Sequence, residues 1–302
     1  MPSSHTIPRP GATAIGGALL LLSACGTAVD RLPNRIAARV AQVPGAEVGV
    51  YLKDLASGTT VAWHADTVFH AASTMKIPVM IEVFRAIEDG RIARSATLRL
   101  ENRFASIVDG SPYTLDAGED SDSATYGRIG SDVPVLELVD RMITHSSNLA
   151  TNAVIALVGA PRAQATARAL GAHTMMVRRG VEDGKAFAQG LNNTTTARDL
   201  GALLEAIALD RAASPPHTRE MLAILEHQAF NEEIPAGLPP GTRVAHKTGN
   251  ITGVLHDAAL VFPDDGRPPF VLVVLTRNIP DPAIARALIR DIARLSWEAL
   301  AR

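Results

Sequence analysis

The sequence predicts an α+β fold. Both ends of the chain build one antiparallel five-stranded sheet flanked by helices, and the middle supplies an inserted all-helical lobe. Three observations predict it. Two β-branched-rich segments near the start, residues 46–52 and 59–64, are separated by Asp54-Leu55-Ala56-Ser57-Gly58, which is hairpin spacing. Three more, residues 242–247, 254–262 and 270–276, lie near the end and are joined by tight Gly/Pro/Asp turns. Between the two groups, the periodic segments have helical spacing. The expected division is residues 25–68 with 218–302 as the α/β lobe and residues 69–217 as the helical lobe.

The 302 residues suit one large or two modest domains, and 47% hydrophobic content with only 4% aromatics gives a core of Ala, Leu, Val and Ile. The net charge of −2 and the lack of any long Lys/Arg run argue against nucleic acid or an anionic membrane surface as partner. At the N-terminus, Arg9 precedes a short apolar run, residues 12–22, and then Leu22-Ser23-Ala24-Cys25-Gly26. The run is too short to span a bilayer and fits a secretory signal over residues 1–24. Leu22-Ser23-Ala24-Cys25 resembles a bacterial lipobox, which would make Cys25 a lipidated N-terminus and the only membrane contact. The alternative is an ordinary cleaved signal with an incidental cysteine. Either reading implies an exported, periplasmic protein, and a lone cysteine allows no disulfide within the chain.

Residues 29–42 form an amphipathic helix, with Leu32, Ile36, Val40 and Val43 on one stripe, and the hairpin follows. The next helix, residues 73–87, is apolar nearly all round and so belongs inside a domain, with Pro78 distorting its first turn and Gly90 ending it. Residues 101–132 are long, polar and acidic (Asp109, Asp116, Glu119, Asp120, Asp122). They lack EF-hand spacing and read as a solvated loop on the rim of a site. Helices are expected over 133–145, 148–158, 161–170 and 196–209, the last with Thr196 and Asp199 spaced as a capping pair. Residues 175–193 have no period and read as a functional loop. Pro215 and Pro216 read as punctuation before a short helix over 219–228. Asp281-Pro282 opens the last helix, striped by Ile284, Leu288, Ile292 and Leu295.

Three short motifs carry chemistry. Ser73-Thr74-Met75-Lys76 places a hydroxyl and an amine one helical turn apart, within expected hydrogen-bond reach. Burial would hold the lysine neutral and let it take the serine proton. Ser146-Ser147-Asn148 lies at a helix–helix junction, where a serine can relay a proton and an asparagine can bind an amide. Lys247-Thr248-Gly249-Asn250 lies at a strand end, where Lys247 and Thr248 can hold a carboxylate and Gly249 lets a ligand lie close to the backbone. His70 and His145 flank these motifs and suit packing or orientation. No Gly-x-Ser-x-Gly elbow, His-Glu-x-x-His, phosphate loop, dinucleotide fingerprint or histidine cluster with zinc spacing occurs, so no cofactor or metal is expected.

In order and separation these motifs resemble those of the penicillin-recognising serine hydrolases, most closely the class A β-lactamases. The resemblance spans nearly the whole mature chain, including Thr194-Thr195-Thr196 and the run from Ala245 through Asp257 and Val261-Phe262-Pro263 to Val274. It implies a β-lactamase/transpeptidase-like fold, a small-molecule β-lactam substrate and a monomer. It also implies Ser73 as nucleophile, Lys76 as its proton partner, Ser146 in the proton relay, and Asn148, Lys247, Thr248 and Gly249 as substrate-binding residues. The N–H groups of Ser73 and Asn250 would form the oxyanion hole. Two departures stand out. Ser147 replaces the aspartate of the family's Ser-Asp-Asn, and the 175–193 loop lacks Glu-x-x-Leu-Asn. Glu182 is the nearest residue that could activate the deacylating water, with Asp183 second. Alternatives of the same superfamily are a D-alanyl-D-alanine carboxypeptidase or esterase, and a covalent β-lactam binder or sensor that stalls as acyl-enzyme.

Overall fold

A computed structural model of the protein describes residues 1–3 and 27–301. Residues 4–24 of the proposed signal, and Cys25, lie outside the described residues. Helix α1, Ala28–Val40, begins with a capping box in which Thr27 and Asp30 satisfy each other's backbone N–H groups. Strands β1, Glu47–Asp54, and β2, Thr60–Trp63, form the expected hairpin. The Ala72–Met75 3₁₀ turn leads into α2, Lys76–Glu88. The helices that follow are α3 (Val135–Thr144), α4 (Asn148–Val158), α5 (Ala160–Ala169), α6 (Gly184–Ala188), α7 (Ala197–Ala208) and α8 (Pro215–Glu226). The chain closes with β3 (Arg243–Ile251), β4 (Val254–Phe262), β5 (Phe270–Arg277) and α9 (Pro282–Leu300).

Among the described residues the main sheet has five strands, all antiparallel neighbours, in the order β2-β1-β5-β4-β3. The two ends of the chain therefore meet along the β1–β5 ladder. The sheet is buried on both faces, and its side chains alternate between two cores. Val271, Val273 and Leu275 of β5 join Tyr51 and the buried side chains of α2, α3, α4 and α7. Phe270, Leu272 and Val274 face the other way, onto Leu32 and Ile36 of α1 and Leu288, Ile292 and Leu295 of α9. Ile284, expected on that stripe, is exposed in the first turn of α9.

The structure corrects several local expectations. Pro215 and Pro216 do not punctuate the chain; they form the first turn of α8, where proline loses no helical hydrogen bond. Strand β3 runs to Ile251, so Lys247 to Asn250 lie within the strand, paired to Ala258 through Leu255 of β4. Residues 133–134 pair with 97–98 in a short ladder before α3 begins. The acidic 101–132 segment is not simply solvated. Asp120 and Asp122 are buried, Asp122 against the Arg141 guanidinium, and Asp120 Oδ2 accepts the N–H groups of Asn148 and Leu149 at 2.9 and 3.0 Å. A carboxylate on those free donors meets the positive end of α4.

Candidate active site

The Ser73 turn is built by its neighbours. His70 Nδ1 accepts the Ala72 N–H at 3.0 Å, and Ala72 takes a left-handed φ of 45°. Behind it, His256 of β4 accepts the Thr276 N–H on Nδ1 at 3.1 Å, so Nε2 carries the proton and donates to His70 O at 2.8 Å. Complete burial pushes His256 down to about 4, which keeps this tie neutral. Strand β3 closes from the other side. A Cβ on Gly249 would lie 3.2 Å from Ser73 N, from Ala72 Cβ and from Thr74 Cγ2, so a glycine lets the strand seat against the turn.

Lys76 is fully buried. Its Nζ donates to Ser146 O at 2.6 Å and contacts Ser146 Oγ and Asn148 Oδ1, each at 3.1 Å. The expected Ser73–Lys76 hydrogen bond is not formed; the amine turns to Ser146 and Asn148 instead. The 3₁₀ turn still leaves positions 73 and 76 on one side, since side chains three apart eclipse there. Burial, followed by the nearby Lys247 charge, lowers Lys76 well below the ordinary lysine value, against the opposing pull of Asp120 and Glu182. Lys247, also fully buried, contacts Ser146 Oγ at 3.2 Å and donates to Thr248 O at 2.9 Å. Burial lowers it to about 7, with Asp257 and Glu233 pulling the other way. The Ser146 hydroxyl thus stands between two lysines whose protons are held loosely. It sits at the α3–α4 junction on a residue with φ of 58°.

Ser147, the departure from Ser-Asp-Asn, is buried and satisfied. Its hydroxyl accepts the Ala150 N–H at 3.2 Å and caps α4, while Asp120 covers the two N–H groups before it. Beneath Lys247, Asp257 accepts from Ile234 N at 3.0 Å and meets His246 Nδ1 at 2.9 Å.

The 175–193 loop brings Glu182 to this cluster. Asn148 Nδ2 donates to Glu182 Oε1 at 2.6 Å, so one carboxamide joins the lysine to the loop carboxylate. Desolvation raises Glu182 above the usual carboxylate range, against the Asn148 hydrogen bond. Its φ is 59°, a left-handed conformation that bulkier L residues rarely hold. Asp183 does something else. It caps α6 and accepts Ser106 Oγ and Ile107 N, each at 2.9 Å, which ties the loop to residues 104–113. Burial raises Asp183, but these hydrogen bonds outweigh it and leave the group below the ordinary value.

Three positions with no role assigned from the sequence hold the loop. Asn152 on α4 accepts Val181 N at 2.6 Å and donates to Val181 O at 3.0 Å, pairing with the loop as a strand would. Gly180 passes so close that a Cβ there would collide with the Asn152 carboxamide. Arg179, buried without a salt bridge among the described residues, gathers Leu191 O, Gly180 O and Asn192 Oδ1. An isolated asparagine on an apolar helix is a weak sequence signal, and only its register against the loop reveals it.

Two adjoining cavities, about 300 and 640 Å³, share Ser73, Glu119, Asn148 and Asn250. The first also holds Ser146 and Thr248, the second Glu182 and His70. Among the described residues no group of three His, Cys, Asp or Glu side chains could hold a metal ion.

This fold, with this cleft, places the chain in the class of penicillin-recognising serine enzymes resembling class A β-lactamases. The profile of the β-lactamase enzyme family matches residues 31–300. A β-lactamase of Streptomyces fradiae is 29% identical, over 98% of this chain and 99% of its own. β-Lactamase AST-1 of Nocardia asteroides is 30% identical, over 85% and 80% of the two chains. Among solved structures, a substituted PBP-A in acyl-enzyme complex with penicillin G has a TM-score of 0.76 and 29% identity, covering 89% of this chain and 96% of that one. The chain belongs to the β-lactamase enzyme family and is a serine β-lactamase-like hydrolase.

Proposed function

We propose that the protein hydrolyses β-lactams through an acyl-enzyme on Ser73. The observation that carries this reading is the Ser146 hydroxyl held between two buried lysines at 3.1 and 3.2 Å, in the cavity that Ser73 lines. Ser73 Oγ attacks the lactam carbonyl carbon, and neutral Lys76 takes its proton. The developing oxyanion lies against the N–H groups of Ser73 and Asn250. The C–N bond breaks as Ser146 passes a proton to the ring nitrogen. Lys247 and Thr248 hold the substrate carboxylate, and Gly249 keeps the strand clear. Asn148 binds the acylamide and, through its bond to Glu182, marks where water attacks the ester. Glu182 takes that water's proton, and its raised affinity for a proton suits a base.

Engagement of Asp183 in the loop's own hydrogen bonds leaves Glu182 as the better base. The peptidase and sensor readings share the acylation residues and differ at Glu182. A chromogenic cephalosporin assay combined with intact-protein mass separates the three. Turnover with a transient adduct supports hydrolysis. A permanent adduct without turnover supports the sensor, and an unchanged mass after several β-lactams leaves only the peptidase or esterase reading, or none of the three. The reading extends to residues 25–68 with 218–302 and residues 69–217 as two lobes, and to a monomer exported through the 1–24 segment and anchored at Cys25. Among the described residues no helix is long and apolar enough to cross a membrane. Loss of membrane association in Cys25→Ser tests the anchor.

A further inference from the structure

The smaller cavity is also lined by Phe230, Glu232, Glu233 and Arg286. Charge there is unbalanced. Glu232 and Glu233 share the Arg286 guanidinium, Glu119 lines the same cavity, and buried Lys247 is the other cation close enough to Glu233 to feel its charge. Arg286 Nε lies 2.9 Å from Glu232 Oε2 and 3.3 Å from Glu233 Oε1. Glu233 is 3% exposed, and its Oε2 is buried with no hydrogen-bond partner among the described residues. A buried carboxylate oxygen without a partner costs stability. Beside it, Phe230 is 38% exposed, and an aromatic face attracts cations.

The placement of a substrate follows from the reading above, on which this inference rests. If the carboxylate sits on Lys247 and Thr248 and the acylamide on Asn148, a cephalosporin's C3 substituent, adjacent to the carboxylate and remote from the acylamide, extends towards Glu233, which lies near enough to Lys247 to act on its charge. We infer that Phe230, Glu232 and Glu233 form a specificity subsite for positively charged C3 substituents. A cation there meets the Phe230 ring and the carboxylates that Arg286 leaves uncompensated. Desolvation and the neighbouring Asp257 raise the proton affinity of Glu233, so an arriving cation would also favour its ionised form.

Two cephalosporins with one acyl side chain make the test. Cephaloridine carries a pyridinium at C3′, and cephalothin carries a neutral acetoxy group. Both have the same carboxylate, so effects at Lys247 cancel in their ratio. The kcat/KM ratio of cephaloridine to cephalothin is expected to fall roughly three- to tenfold in Glu232→Gln/Glu233→Gln, the size of effect a partly screened charge pair produces. It should fall in the same direction for the unsubstituted protein when salt is raised, because Glu232 is exposed. Glu232→Gln alone, at the surface, gives a smaller fall and guards against misfolding of the double variant. A ratio unchanged in both variants, or one that rises, overturns the inference. Failure of the unsubstituted protein to turn over either compound instead overturns the hydrolase reading.

Discussion

The proposed acylation residues and the proposed deacylation carboxylate are held by different physics. Lys76 and Lys247 stand on elements buried on nearly every side, α2 and β3, and their positions are set by core packing. Glu182 stands exposed on a loop whose shape around it depends on a few polar contacts, chiefly those of Asn152, Asn193 and Arg179. The difference teaches that the two chemical steps should fail independently. Damage to the core lowers stability before chemistry, whereas damage to the loop leaves a well-folded protein that acylates and then stalls.

The predictions test that separation. The largest effect is expected at Ser73→Ala, which should abolish the covalent adduct and lower turnover roughly 10⁴-fold or more, read by mass and steady-state rate. Glu182→Gln should lower turnover roughly 10²- to 10⁴-fold while acylation proceeds, so the adduct accumulates. Lys76→Met should slow acylation by a similar factor and leave no adduct in excess, which stopped-flow mixing would separate from the Glu182 case. Asn152→Ala should slow deacylation more than acylation and cost about 1–3 kcal/mol of stability by stripping partners from Val181 N and O. Equal loss in both steps would mean that the loop also shapes the acylation site.

A pH-dependent prediction concerns the core side. Lys247 lies at about 7 in the folded protein, against 10.5 ordinarily, so the unfolded chain binds its proton more tightly. The resulting penalty is fully present below about pH 7 and is relieved as pH rises towards 10.5. Thermal unfolding of Lys247→Met, compared with the unsubstituted protein, should show this pH-dependent difference vanish at the alkaline end. A difference that is flat from pH 6 to pH 10 (roughly the span of the two values) would deny the lysine its lowered affinity.

The legibility of the sequence divides along the same line. Period-two strands and the all-apolar α2 identify the sheet and the buried lysine, because burial leaves a residue pattern along the chain. The three motifs identify most of the cleft. The route of the lysine contacts was not legible. Lys76 turns to Ser146 and Asn148 rather than Ser73, a choice made by the tertiary position of the α3–α4 junction. Asp120 reads as solvated because nothing local shows that it will meet the start of α4. Asn152 and Gly180 were missed because their match exists only across 28 residues of chain, and His256 because a strand histidine carries no local sign of its bond to His70. Glu182 was legible only as a candidate, and its bond to Asn148 distinguishes it from Asp183.

The most direct test is time-resolved intact mass after mixing with benzylpenicillin, followed by peptide mapping, for the unsubstituted protein and Glu182→Gln. The account predicts an adduct on Ser73 that forms and clears in the first and forms and persists in the second. An adduct on any other residue, or one that clears equally fast from both, would contradict it.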